Sequence, residues 1–215
     1  GEIWPGREVK EFHLSGGFLQ LKEGKMSSRT GNVVLAEALL DEARGAVEEI
    51  MINRELKDKE SIIDKISQAA VKYGILKVGV SDDVAFDIKT SVSVEGDSGP
   101  YLLYIVARIR SIMRKREMGK GKGETAPISD TEKQLLLKLA MFPEVTSVAA
   151  TTLDPSKIAK YLFDLAQHFN RFYQACPVLE AGELVRAFRL QLIQAVEQTM
   201  VAGLRLLTIE AVEEM

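Results

Sequence analysis

The hydrophobic residues of this chain recur at helical spacing over most of its length. In the first half, apolar positions three and four residues apart predict helices at about residues 35–51 and 59–76. In the second half the same spacing predicts four more helices, at about residues 101–118, 129–141, 154–173 and 183–207. Ser129 followed by Glu132 has the form of a capping box, and Asp154 with Pro155 suits a helix start. The pattern predicts a mainly α-helical protein whose second half is a helical bundle.

Two short stretches depart from the helical period. Residues 18–21 have the composition of a short strand, and residues 80–95 contain a β-like alternation that fits a strand or an extended connector. The apolar side chains of the first stretch have little nearby to pack against, so we expect an exposed apolar patch there. Gly96, Gly99 and Pro100 are typical of a turn that leads into a helix. We therefore place a domain boundary at this turn.

Composition narrows the class of protein. The chain has 215 residues, of which 46% are hydrophobic and 27% are charged, and it contains one cysteine, Cys176. These values are typical of an ordinary soluble chain from a reducing compartment, so we expect a cytoplasmic protein without an intrachain disulfide. No apolar run approaches the roughly 18 residues that a membrane span needs, and no signal peptide is visible. No group of His, Cys, Asp and Glu has metal-ligand spacing, so we expect no protein-bound metal.

Charge is unevenly distributed along the chain. The net charge of −3 argues weakly against a nucleic-acid partner. However, the stretch from Arg108 to Lys122 holds seven basic residues and a single acidic residue, Glu117. A basic stripe on an otherwise acidic protein is expected where a phosphate backbone docks. A solvated helix face that continues into a flexible tail has the same composition, so both interpretations stay open here.

The segment at residues 24–32 is the strongest candidate for chemistry. It places Lys25, Ser27, Ser28 and Arg29 between two glycines, just before a predicted helix. Cationic side chains, hydroxyls and backbone N–H groups on a glycine-flanked loop suit the charge of a polyphosphate. A solvated surface turn is composed in much the same way. The loop by itself therefore does not decide between a phosphate site and a plain turn.

Four blocks of sequence, taken together and in order, resemble one known family. The first is Lys25-Met26-Ser27-Ser28-Arg29, the second is Asp97-Ser98-Gly99-Pro100-Tyr101 with Tyr104 and Arg108, the third spans residues 158–173, and the fourth runs from residue 203 to Met215. The first block resembles the mobile Lys-Met-Ser-Lys-Ser loop of class I aminoacyl-tRNA synthetases. The second resembles the segment that opens the anticodon-binding domain of arginyl-tRNA synthetases. The order and coverage of all four indicate the arginyl enzymes rather than another class I member.

The resemblance implies roles for individual residues. Lys25, Ser27, Ser28 and Arg29 would hold the phosphates of ATP while arginine is activated, and Ser28 stands where the family's second lysine is expected. Contacts to tRNA would come from Asp97, Tyr104, Arg108, Tyr173 and Met215, and the basic stripe adds Arg110 and the cluster at residues 114–116. The tyrosines would offer faces on which bases stack, and the arginines would pair with phosphates. An arrangement in which the tyrosines pack inside the bundle and only the arginines reach solvent stays open.

On this resemblance the chain divides into three parts. Residues 1–34 would be a remnant of the catalytic domain, residues 35–95 a helical connector near the tRNA stem, and residues 96–215 the α-helical anticodon-binding domain. Neither His13 nor His168 lies in the His-Ile-Gly-His type motif that such enzymes use to bind ATP. We therefore expect a C-terminal fragment that binds tRNA but is inactive alone. ATP with Mg²⁺, arginine and its tRNA would be substrates of the full-length enzyme, and a monomer is expected.

Two other functions remain open from the sequence. One is a stand-alone helical module that binds tRNA or another RNA. The other is a helical protein-interaction module without an RNA role, for which net acidity and amphipathic helices would suffice.

Overall fold

The computed structural model describes residues 12–21, 36–116 and 127–215. Its helices are α1 (Ala36–Ile50), α2 (Lys59–Leu76), α3 (Ile88–Ser91), α4 (Gly99–Arg114), α5 (Asp130–Ala140), α6 (Phe142–Thr152), α7 (Ser156–Ala175) and α8 (Glu183–Leu206). Two three-residue strands, β1 (Leu19–Leu21) and β2 (Val84–Phe86), pair in parallel, with Leu19 opposite Val84. The prediction of a mainly α-helical fold is confirmed.

The helical period located most elements within a few residues. It did not foresee α6, which has a single buried residue, Ala149, and therefore leaves little apolar pattern to read. The alternation within residues 80–95 yields only β2, because Asp87 then caps α3 by accepting a hydrogen bond from the N–H of Thr90 (3.2 Å). The predicted capping box at Ser129 is present: its hydroxyl accepts from the N–H of Glu132 (3.3 Å), and the Glu132 carboxylate accepts from the N–H of Ser129 (2.6 Å).

A single hydrophobic core runs from α1 through the bundle to the C-terminal residues. Its largest fully buried side chains come from α2, β2, α4, α5 and α7, namely Tyr73, Phe86, Phe169, Phe172, Ile66, Leu102, Leu103, Ile105, Ile109, Leu135, Leu162 and Leu165. Helix α2 packs against α1 on one side and α4 on the other. The core is thus continuous across the turn at residues 95–100, and the domain boundary placed there stays a prediction.

Close backbone approach fixes how α4 meets α2. The Ser98 hydroxyl accepts a hydrogen bond from the N–H of Tyr101 (3.1 Å), which caps α4, and Pro100 lies in its first turn. Gly99 then touches α2 so closely that a Cβ at this position would lie 2.2 Å from the carbonyl oxygen of Ala69. Only glycine fits such a contact without a shift of one helix. The predicted turn at residues 95–100 therefore also sets the packing of the next helix.

The expected apolar patch near β1 is present in part. Phe18 is 78% exposed, and Phe12 and Leu14 are exposed beside it, whereas Leu19 is half-buried against the core. A second apolar region lies within Asp130–Thr152, where a window of 18 residues has a mean hydropathy of 1.2 and is 11% buried, so that by length and composition alone the region could cross a membrane. In the structure this region is divided into α5 and α6, of 11 residues each. A membrane-spanning helix needs about 20 residues, so neither helix is long enough.

Candidate nucleic-acid interface

Three of the side chains predicted to contact RNA meet where α4 packs against α7. The Arg108 guanidinium lies 4.4 Å from the centroid of the Tyr173 ring and 5.9 Å from that of the Tyr104 ring. Tyr104 and Arg108 are one helical turn apart on α4, and Tyr173 is near the end of α7. Packing of the two helices therefore brings Tyr173 against two residues that lie 65 and 69 positions before it in the chain. We call Tyr104, Arg108 and Tyr173 the stacking cluster.

The stacking cluster combines accessible aromatic faces with an uncommitted charge. Tyr104 is 37% exposed, and Tyr173 is half-buried with its ring stacked on Phe169 (centroids 5.9 Å apart, planes at 27°). Among the described residues, no carboxylate pairs with Arg108, whose contacts are the two rings. An arginine held over aromatic rings keeps its full charge and a flat guanidinium face. Such a surface can stack a base and attract a phosphate together.

Behind the cluster, Tyr101 packs into the bundle. Its ring meets Phe163 edge-on (5.9 Å), and its hydroxyl accepts a hydrogen bond from Nδ2 of Asn170 (2.8 Å). Burial raises the pKa of Tyr101, although the Asn170 hydrogen bond and the Arg108 charge oppose that rise, so the phenol stays neutral. The Asn170 Oδ1 atom is buried and has no hydrogen-bond partner among the described residues. Sequence reasoning missed Asn170, although its place three residues before Tyr173 put it on the same helix face.

The Asp97 side chain makes its contacts within the protein. Its carboxylate accepts a hydrogen bond from the hydroxyl of the fully buried Tyr73 (2.6 Å) and lies 3.4 Å from the Lys77 ammonium, which also donates to the Asp97 carbonyl (2.6 Å). The Tyr73 hydroxyl is also 3.1 Å from the carbonyl of Ala159 in α7. These hydrogen bonds connect α2, the turn before α4, and α7. The RNA contact predicted for Asp97 stays a prediction, and the contacts present give the carboxylate a packing role.

Arg110 points away from the stacking cluster. Its Nε and Nη2 atoms both lie 2.8 Å from Oε1 of Glu197 in α8, and its Nη1 lies 2.8 Å from Oε1 of Glu213 and 3.1 Å from the carbonyl of Val212. Two residues along a helix rotate by about 200°, so Arg108 and Arg110 occupy nearly opposite faces of α4. The RNA role predicted for Arg110 from the basic stripe stays a prediction, and the contacts present pair its charge with two carboxylates of the protein.

Of the remaining predicted RNA contacts, some belong to the part of the chain that the structure describes and others lie outside it. Met215 is half-buried against the core, and the exposed Arg114 donates to the carbonyl of Glu213 (3.3 Å). Lys115 and Arg116 are exposed, while the lysines of the stripe at residues 120 and 122 lie outside the described residues.

The predicted phosphate-binding residues Lys25, Ser27, Ser28 and Arg29 lie outside the described residues as well. The strand that leads to them is described, and it is anchored from residues 80–86. The Asp83 carboxylate accepts a hydrogen bond from the N–H of Phe18 (2.8 Å), and the N–H of Val84 donates to the Phe18 carbonyl (2.8 Å). A Cβ at Gly17 would lie 2.1 Å from the Asp82 carbonyl oxygen. The approach to the loop is therefore fixed by residues some 65 positions later in the chain.

Other candidates for chemistry have ordinary surroundings. Cys176 is buried beside the hydroxyls of Ser129 (3.5 Å) and Thr131 (3.4 Å), as expected for a small core residue. Nδ1 of His168 lies 2.8 Å from the Asp164 carbonyl of its own helix. Within residues 12–21, 36–116 and 127–215, no group of three or more His, Cys, Asp or Glu side chains is placed to hold a metal ion.

Comparison with known proteins finds relatives over nearly the whole chain. The model of the DALR anticodon binding domain matches residues 102–215. The chain is 36% identical over 217 residues to an arginine–tRNA ligase of Treponema denticola and 37% identical over 213 residues to one of Halobacterium salinarum. These alignments cover 95% and 97% of this chain but 37% and 34% of the relatives. The solved arginyl-tRNA synthetase of Thermus thermophilus superposes with a TM-score of 0.83 at 33% identity, covering 94% of this chain and 35% of that one. The chain thus spans about a third of the length of the relatives it matches.

Proposed function

Because the chain belongs to the DALR anticodon-binding domain family, we propose that it is the tRNA-binding part of an arginine–tRNA ligase and that the stacking cluster contacts the anticodon. The match to residues 102–215 includes all three residues of the cluster. The observation that carries the proposal is the Arg108 guanidinium lying over the rings of the exposed Tyr104 and the half-buried Tyr173. Among the described residues no carboxylate pairs with this arginine, so its charge is available to a phosphate.

The chemistry of the cluster suits an unstacked base. Single-stranded anticodon bases expose their faces, and aromatic side chains and arginine planes replace the lost base stacking. Tyr173 is held in place because its ring already stacks on Phe169. Little further ordering is then needed when a base arrives, which favours affinity. Arg108 adds attraction for the adjoining phosphates, so binding will weaken as salt concentration rises.

The ligase activity itself is proposed for a longer protein that includes this chain. Lys25, Ser27, Ser28 and Arg29 would hold the phosphates of ATP, with the cations directed at the charge that develops on the pyrophosphate leaving group. Mg²⁺ would arrive with ATP as part of that substrate. The polypeptide of 215 residues is expected to bind tRNA and to form no arginyl-tRNA alone. A cytoplasmic, monomeric protein is part of the same proposal.

The test is tRNA binding by variants of the stacking cluster. Tyr173→Leu keeps an apolar side chain against Phe169 but removes the aromatic face, and we expect affinity for an arginine tRNA transcript to fall about tenfold. Arg108→Gln should weaken binding and lower the slope of log affinity against log salt by about one. Fluorescence anisotropy with labelled transcripts across a salt series measures both quantities.

The matched control is Arg44→Gln, which removes an arginine of α1 already paired with Glu48 (3.0 Å) and Asp64 (2.8 Å). It should leave affinity and salt slope unchanged. A transcript with a non-arginine anticodon should bind more weakly to the wild-type chain, and Tyr173→Leu should reduce that difference. Equal binding of both transcripts by every variant would contradict an anticodon site and leave only general attraction for RNA.

A further inference from the structure

The last eight residues pack against the bundle, and we call residues 208–215 the C-terminal segment. The segment leaves α8 through a turn in which Thr208 has a left-handed backbone (φ 57°) and the N–H of Ile209 donates to the Leu204 carbonyl (2.9 Å). A β-branched residue rarely adopts that conformation, so the turn is imposed by its surroundings. Beyond it, the side chains of Ile209 and Val212 are buried in the core.

Basic side chains from α2 and α4 hold the backbone and carboxylates of the segment. Lys72 donates to the Thr208 carbonyl (2.7 Å), and Lys65 pairs with Glu210 (2.6 Å). Nearer the chain end, Arg110 and Arg114 contact the last residues through Val212 and Glu213. The C-terminal segment is therefore held at its beginning by side chains of α2 and at its end by side chains of α4.

Arg110 differs from the other three cations in how it is held. Its side chain is only 21% exposed, and Glu197, itself 20% exposed, fixes the Nε side of the guanidinium. This leaves Nη1 directed at the Val212 carbonyl and the Glu213 carboxylate, both within 3.1 Å. Four of the five N–H donors of the guanidinium are thereby engaged. Lys65, by contrast, pairs with Glu210 at the exposed rim, where ion pairs contribute little, and the exposed Arg114 donates only to the Glu213 carbonyl.

We propose that Arg110 is a positioning residue, which holds the C-terminal segment in place so that Met215 can make the RNA contact that the sequence resemblance predicts for it. The inference rests on the proposed function, and it assigns to Arg110 a role other than phosphate contact. Without this anchor the last residues would fray as free chain ends do. RNA would then have to order them on binding, at a cost in affinity. Because Arg110 is already neutralised by two carboxylates, its loss should not alter the number of phosphate contacts.

The experiment compares Arg110→Gln with Arg108→Gln, using two readouts on the 215-residue chain. The first is the rate at which carboxypeptidase releases the C-terminal residues in the absence of RNA, followed by mass spectrometry. The second is affinity for an arginine tRNA transcript across a salt series. We expect Arg110→Gln to speed release and to weaken binding about tenfold with an unchanged salt slope. Arg108→Gln should leave release unchanged and lower the slope by about one.

Two further variants guard against a general loss of structure. Arg110→Lys keeps the charge but lacks the planar set of guanidinium donors. We therefore expect this variant to be folded and to release its C-terminal residues at a rate between those of wild type and Arg110→Gln. Glu213→Gln alters the segment while leaving Arg110 and Glu197 intact, and Glu214→Gln is its matched control, since Glu214 has no ion pair among the described residues. Release should be faster for Glu213→Gln than for Glu214→Gln. Melting temperatures from circular dichroism show whether each variant is folded.

Each of the following outcomes contradicts a different part of the inference. Unchanged release in Arg110→Gln means that Arg110 does not hold the segment. Faster release with unchanged tRNA affinity means that the segment is held but is not used for RNA. A salt slope that falls as much as in Arg108→Gln means that Arg110 contacts phosphate directly. Absence of tRNA binding by the wild-type chain would defeat the proposed function, whereas the release assay would still report whether Arg110 anchors the segment.

Discussion

At the scale of single residues, the surroundings of a charge decide what it can do. Arg108 and Arg110 are identical side chains two positions apart, yet one lies over two tyrosine rings and the other is enclosed by Glu197 and Glu213. A third arginine, Arg189, is almost fully buried and pairs with the equally buried Glu132 (2.7 Å). The first charge is available to a ligand, the second positions a chain segment, and the third stabilises the bundle.

The buried pair of Arg189 and Glu132 should make stability depend on pH below the ordinary carboxylate range. Burial pushes the pKa of Glu132 upward, but Arg189 and Ser129 outweigh burial and hold this pKa below its usual 4.5. The contribution of Glu132 to stability is therefore complete above about pH 4.5 and is lost as pH falls through the lowered pKa. Thermal melts between pH 7 and pH 2.5 should show this loss.

Glu132→Gln removes that titration and leaves the Arg189 charge buried without a counter-ion. We expect it to cost about 3–5 kcal/mol at pH 7 and to flatten the fall in stability at acid pH. Asp130→Asn, in the same turn, removes a carboxylate that is 92% exposed, so it should change stability by less than about 0.5 kcal/mol. Equal effects of the two substitutions would contradict a stabilising role for the pair.

At the scale of elements, close approach of helices depends on small residues at particular points. Gly99 brings the start of α4 against the backbone of α2, and Gly203 brings α8 against Leu162 of α7, where a Cβ would lie 2.6 Å from a methyl group. Such contacts let helices pack nearer than the usual 8–10 Å between axes.

Two glycine-to-alanine substitutions should therefore have opposite effects. Gly99→Ala places a methyl group 2.2 Å from the Ala69 carbonyl oxygen, and we expect the shift of α4 to cost about 1–3 kcal/mol. Gly45 lies at an exposed position of α1, with open space where a Cβ would be placed. Gly45→Ala should therefore stabilise the chain by about 0.5–1 kcal/mol. Urea unfolding of both variants measures the difference. A stabilising Gly99→Ala would show that α4 does not touch α2 in this way.

At the scale of the whole molecule, the connector helices and the bundle share one core. Tyr73 of α2 is fully buried and its hydroxyl meets Asp97 before α4 and the Ala159 carbonyl of α7. Burial is the main cause that raises the pKa of Tyr73, and the neighbouring Asp97 raises it further. The hydroxyl therefore remains a donor at every working pH. We infer that α1 and α2 are stabilised by the bundle and do not fold as a separate unit.

Tyr73→Phe tests this continuity. Loss of the hydroxyl leaves the buried Ala159 carbonyl without this donor and removes one hydrogen bond from the Asp97 carboxylate, and we expect the free energy of unfolding to fall by about 1–3 kcal/mol. Unfolding should remain a single transition in both wild type and variant, with coincident far-ultraviolet and tyrosine near-ultraviolet circular dichroism. Tyr161→Phe is the control, because the Tyr161 hydroxyl donates to the backbone carbonyl of Lys138 (2.9 Å), a contact within the bundle alone. Separate melting of α1 and α2 in the wild type would contradict the shared core.

The sequence by itself determined most of the long helices, the Ser129 capping box and the residue types of the candidate RNA site. Apolar spacing is a local property, so α2 was predicted from residues 59–76 and found at Lys59–Leu76, and the capping box depends on two residues three positions apart, Ser129 and Glu132. Tertiary structure decided which predicted side chains meet. Tyr104, Arg108 and Tyr173 join only through packing of α4 on α7, and Arg110 is neutralised by residues 87 and 103 positions away. The reason is physical: a helical period fixes the direction of a side chain about its own axis, whereas its partners depend on how the helices pack.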